Sequence, residues 1–256
     1  MNKASDSGSS QRGQAMVETV IILPVLLLLV LGALQFALIY HAKITLNYAT
    51  FEAARAGALN YGSRRAMEYA LARGLMPLYT SVRPGDSDLD KMGIVKDTYN
   101  RVMDEINGAD PDVPDDPSDK IVCIQRLNPD NAAFTAHGVN MGGVLPDPII
   151  PNDNLLFRST DTNGSDVSIQ EANLLKIKVT YCYSMIVPFI SSLIQKLMLG
   201  SSDSDDPDIP KDWVTPTGLG DFREDCYADQ RFPIEAFSIV RMQTPVFNDY
   251  FRSDCG

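Results

Sequence analysis

The sequence predicts an α+β protein. A long N-terminal transmembrane α-helix extends into an extracytoplasmic domain built of helices plus a small antiparallel sheet. Three observations predict it. Residues 20–40 hold no charge, and Gln35 is the one strongly polar side chain among them. Helical periodicity fills the chain to about residue 108, and the segments with strand alternation all come later. Every cysteine (Cys123, Cys182, Cys226 and Cys255) lies on the far side of the apolar run.

The first element is the apolar run itself. Its 21 residues span about 31 Å as a helix, one bilayer hydrocarbon core. In front of it stands a polar leader, MNKASDSGSSQRG, with Lys3 and Arg12 against Asp6. That weak positive bias keeps this end in the cytoplasm. A signal peptide would be cut after the apolar run, but there the chain continues with helical character as IYHAKITLNYATFEAARAGAL. A cut before the run fits better: Gly13 precedes Gln14, and Glu18 is the fifth residue after that glycine. A glycine lets an extended backbone enter a protease with no side chain in the way. Glu18 at the bilayer edge is costly without a partner charge. It could instead cap the first helical turn, where the dipole favours an anion.

The stretch RGQAMVETVIILPVLLLLVLGALQFALIYHAKITLNYATFEAARAGAL resembles the TadE family, minor pilin-like proteins of the tight-adherence (Tad or Flp) pilus system. The features are RG followed by VE, Pro24 early in the apolar helix, and EAARAGA at residues 52–58. The likeness covers about residues 12–60. It implies cleavage between Gly13 and Gln14 by a prepilin peptidase, and a pairing of Glu18 with a new N-terminal amine. It also implies a single span in the bacterial inner membrane, N-terminus cytoplasmic and domain periplasmic, with other Tad pilus subunits and assembly-platform proteins as partners. Gln14 departs from the Phe or Met that conventional type IV pilins carry at the first mature position. The chain thus divides into a leader (1–13), the membrane helix with its extension (14–60) and an α+β domain with acidic loops (61–256).

Beyond the membrane edge at His41 and Lys43, Ile44, Tyr48, Phe51 and Arg55 keep helical spacing. Ala49, Ala53, Ala54 and Gly57 supply a small-residue face onto which another element, in this domain or a neighbour, can pack closely. Gly57 and the NYG at 60–62 permit a break. A second helix occupies 63–79, with Met67, Ala70, Leu71 and Leu75 on one face; Gly74 weakens it and Pro77 ends it. Residues 86–108 give a third. DPDVPDDPSD at 110–119 and the aspartates at 203–208 are loops. Either could hold calcium, and a membrane-anchored calcium-binding module is the alternative reading. Residues 159–170 resemble part of an EF-hand loop but lack its first and twelfth ligands, so Asn163-Gly164 reads as a turn between strands. Strands are expected at 121–127, 174–185 and 232–243, with Ile177, Val179, Tyr181 and Tyr183 sharing a face. A short helix is expected at 188–199. The order of lysine-flanked strand, proline-started helix and late strand with an arginine also resembles the TadE layout.

The net charge of −11 argues against nucleic acid, which needs clustered Lys and Arg. An even set of extracytoplasmic cysteines without CxxC predicts two disulfides, with three pairings open. His137, read in a Gly/Asn-rich loop, could only serve as base to Cys123 if that cysteine were reduced. No GxSxG, HExxH or phosphate loop occurs. No enzyme, cofactor or metal centre is expected.

Overall fold

The computed structural model describes residues 11–80, 87–107, 121–140, 148–187, 222, 226 and 231–248, giving only the backbone for 11–17, 88, 89 and 105. Helix α1, Gln11–Leu59, runs unbroken for 49 residues, about 73 Å. Pro24 lies inside it, where its missing N–H leaves the Val20 carbonyl without the usual helical partner. The helix stops where the sequence allows it. Tyr61 and Gly62 take positive φ angles of 58° and 74°, and the Gly62 N–H donates to the Gly57 carbonyl at 2.9 Å, closing the last turn.

Helix α2, Arg64–Tyr79, folds back onto α1 and buries Met67, Leu71 and Leu75 completely. Pro77 does not end it. The helix continues to Tyr79, because a proline in the last turn forfeits a single bond, to the Arg73 carbonyl. Thr80 closes the end, its N–H and hydroxyl both donating to the Met76 carbonyl. Helix α3, Asp88–Asn107, packs on α2 and buries Val102 and Ile106.

The sheet has the order β1-β3-β4 and is antiparallel throughout, with β1 at Val122–Asn128, β3 at Leu174–Ser184 and β4 at Arg231–Arg241. In register, Ile124, Val179 and Ala236 lie side by side. With Ile177, Tyr181 and Ile234 they bury the face turned to the helices. β4 is an edge strand, which accommodates Pro233 and its missing donor. Tyr181 and Tyr183 are core residues, as the alternation implies, and the Tyr181 hydroxyl lies 2.8 Å from that of Tyr79.

Two short helices went unpredicted. Helix α4, Asn131–His137, is capped by Asp130, which accepts from the Ala133 N–H at 2.8 Å; His137 therefore ends a helix and does not lie in a loop. Helix α5, Ile169–Ala172, carries a capping box between Ser168 and Glu171. The turn at Asn163-Gly164 exists, with φ of 50° and 89°. It joins a 3-10 turn (Leu155–Phe157) to α5, and so does not connect two strands. A small second pairing, β2 (Ile149–Ile150) with β5 (Val246–Phe247), closes over the end of α1, where Phe247 stacks on Tyr61 at 4.9 Å. The expected helix at 188–199 and both acidic loops lie outside the described residues.

Candidate functional site: one helix as membrane span and domain spine

Among the described residues one helix, within α1, is long and apolar enough to cross a membrane. From Val20 to Val30 its large side chains are all exposed, Val20 at 72%. A surface of that kind needs lipid or another apolar partner around it.

The second half of the same helix is the spine of the domain. Gln35, Ala42, Leu46, Ala49, Thr50, Ala53, Ala54 and Ala58 are buried on one face, at helical spacing. The small-residue face therefore packs on this chain's own domain. The opposite stripe, Ile44, Tyr48 and Phe51, stays exposed. Thr50 returns its hydroxyl to the Leu46 carbonyl at 2.7 Å, so its burial leaves no orphan donor.

Three ties fix the spine to the sheet and to the segments that leave its strands. At the far end the Gln243 N–H and the Thr244 hydroxyl both donate to the Ala58 carbonyl, at 3.0 and 3.2 Å, satisfying a C-terminal carbonyl of α1. In the middle the Lys43 ammonium donates to the Glu235 carbonyl of β4. Nearest the apolar run, Gln35 is fully buried and its Oε1 accepts the Val187 N–H at 3.0 Å. Its Nε2 has no hydrogen-bond partner among the described residues.

Of the sequence-predicted site residues, Gly13 and Gln14 lie in the first turn of α1. Glu18 is exposed and sits seven residues into the helix, with no acidic residue in the first turn. Cys182 and Cys226 form a disulfide with Cα atoms 5.3 Å apart, and Cys123 is disulfide-bonded too. Cys255 lies outside the described residues.

The disulfide removes Cys123 as a nucleophile. His137 is buried with its Nε2 2.8 Å from the Val167 carbonyl and 3.3 Å from Ser165 Oγ, a contact that ties α4 to the loop before α5. Among the described residues no group of three or more His, Cys, Asp or Glu could hold a metal ion.

Two structural positions escaped the sequence. Arg126, on β1, places its guanidinium 4.8 Å from the Phe134 ring centre and donates to Asn248 Oδ1 at 2.9 Å. Burial pushes its pKa down to about 10, partly opposed by the nearby Asp130 carboxylate. Gly74 is the other: a methyl there would stand 2.5 Å from both Cα and Cβ of Ala49. Its role is close approach of α2 to α1, which the sequence showed only as a weak point in a helix.

An α+β domain built on the continuation of an apolar helix of membrane-spanning length defines the class: among the described residues the one candidate span and the core share a single helix. Residues 13–55 match the family model described as TadE-like protein. The matched segment starts at the glycine ahead of the span and ends one turn before α1 does, so the likeness to this Tad pilus-related family resides in the helix. No curated protein and no solved structure matches the chain.

Proposed function

We propose that the chain is a minor pilin-like subunit of a Tad/Flp pilus, held in the inner membrane by α1 with its domain on the periplasmic side. In this reading a prepilin peptidase cuts between Gly13 and Gln14, leaving Glu18 as the fifth residue of the mature chain. The observation that carries the reading is the TadE-like match over residues 13–55, which spans this glycine, this glutamate and the whole apolar run. The exposed stripe of α1 supports it, because a helix apolar on its lipid face and along Ile44, Tyr48 and Phe51 can pass from bilayer to a helical assembly without unfolding. Assembly-platform proteins and other pilus subunits are then its partners.

Coproduction with a prepilin peptidase, followed by intact-mass measurement and N-terminal sequencing, tests the reading. The expected product lacks residues 1–13 and begins at Gln14. A retained Met1, or a new N-terminus near Ala42, refutes it. Gly13→Ala is expected to block cleavage and piliation; normal pili in that variant would refute a role in assembly.

A further inference from the structure

The tie between Gln35 and Val187 sits at an unexpected depth. The apolar run extends to Tyr40, which with His41 and Lys43 supplies the first side chains suited to an interface. Gln35 lies five residues before Tyr40, roughly 8 Å deeper along the helix. Its buried amide accepts the N–H of Val187, so the chain leaving β3 descends to this level. Leu34 and Phe36 on α1 are apolar, as is Ile186, 70% exposed beside the buried Val187; the polar limit of the sheet stands just before them, at the exposed Ser184 and its register partner, the half-buried Arg231.

Two placements of α1 are open. If the helix shifted outward until Val187 reached the membrane surface, the hydrocarbon core would have to begin near Ala15, drawing the Glu18 carboxylate inside it, where charge is costly. If residues 20–40 fill the core, Ile186 enters it instead, and an isoleucine inserts favourably. The second placement has one requirement: backbone outside helix or sheet at that depth must find its partners within the protein. Gln35, the lone polar residue of the run, meets it for Val187.

Building on the single-span reading, we propose that the segment leaving β3, residues 185–187 with the exposed Ile186, is immersed in the acyl-chain region of the outer leaflet alongside α1. Gln35 is the internal acceptor that makes the immersion tolerable. The domain then stands in the membrane surface on two feet, which fixes its tilt and its rotation about α1.

The full chain in vesicles of phosphatidylethanolamine and phosphatidylglycerol is photolabelled with a lipophilic diazirine confined to the bilayer, and the labels are located by mass spectrometry. Labels on Ile186 as well as within 20–34, with none on the exposed Leu156 and Phe157 of the 3-10 turn, are expected. Labels within 20–34 but none at 185–187 overturn the immersion and leave the span intact. Absence of label from both fails the span reading, and the proposal with it. Equal labelling of Ile186 and Leu156 also overturns it, since the reagent would then report exposure and not depth. As a second measurement, Ile186→Trp in a Trp213→Phe chain is expected to lose at least half its fluorescence to lipids brominated on the acyl chain. Quenching by aqueous iodide alone would refute immersion.

Discussion

Replacing Gly74 by alanine tests how closely α2 lies on α1. The added methyl would stand 2.5 Å from both Cα and Cβ of Ala49, against the 3.5–4.0 Å of an ordinary carbon contact. The contact is with the Cα and Cβ of Ala49 on the buried face of α1, which cannot swing aside, so relief requires the two helices to separate by about 1 Å. Separation would loosen Met67, Leu71 and Leu75, which are fully buried along the same face. Overpacking of this kind costs about 1–3 kcal/mol, against a gain of up to about 1 kcal/mol from replacing a helical glycine. The net is a loss of up to about 2 kcal/mol, centred near 1, which for a domain of this size lowers Tm by about 3 °C. Gly93 in α3 is the built-in control, because nothing lies within 4 Å of a methyl there. Gly93→Ala is expected to raise Tm by about 2 °C, through helix propensity alone. Both are measured on the full chain in detergent by the near-ultraviolet circular dichroism of the folded domain. A Tm for Gly74→Ala equal to or above wild type would refute the close-approach argument.

Three further outcomes follow from the same geometry. Gln35→Met removes the acceptor of the Val187 N–H, and an orphaned buried donor costs about 1–3 kcal/mol; amide exchange at Val187 should quicken about tenfold to a hundredfold, and an unchanged rate would mean the bond is unimportant. Serine at both Cys182 and Cys226 frees a loop of 44-residue sequence separation, worth about 4 kcal/mol of chain entropy, so Tm should fall by about 10 °C; a change under about 2 °C would refute this. The Glu171 carboxyl is held below its ordinary value by the backbone N–H and the hydroxyl of Ser168. Its contribution is therefore complete above the unfolded value of about 4.3 and is lost as pH falls through the lower folded value. The stability difference between wild type and Ser168→Ala should shrink as pH drops below about 4; a difference independent of pH would exclude the hydroxyl–carboxylate bond as its source.

Much of the candidate site is legible in the chain because its signals are local. An apolar run of membrane length, a glycine five residues before a glutamate, and small residues at helical spacing each depend on neighbours in sequence. The alternation at 174–185 likewise foretells β3, because one buried face imposes a period of two. The short helices α4 and α5 were missed for the opposite reason: seven and four residues are too few to show a period. Their marks are the caps, Asp130 and the Ser168–Glu171 pair, which are legible only to a search for caps.

By itself the sequence determined that a charge-free helix of membrane-spanning length opens the chain, that the long helices precede the strands of the main sheet, and that Glu18 stands just ahead of the apolar run. Tertiary structure alone decided how far the domain climbs down that helix. A polar residue within an apolar run looks the same in sequence whether it faces lipid, a neighbour or its own domain. Only packing brought Val187, 152 residues away, to Gln35, and only packing set Gly74 against Ala49. The reason is physical: periodicity reports which face of an element is buried, whereas the partner on that face is fixed by contacts whose sequence separation leaves no local trace. The reading of a membrane-length helix came from the former, and the bond between Gln35 and Val187 came from the latter.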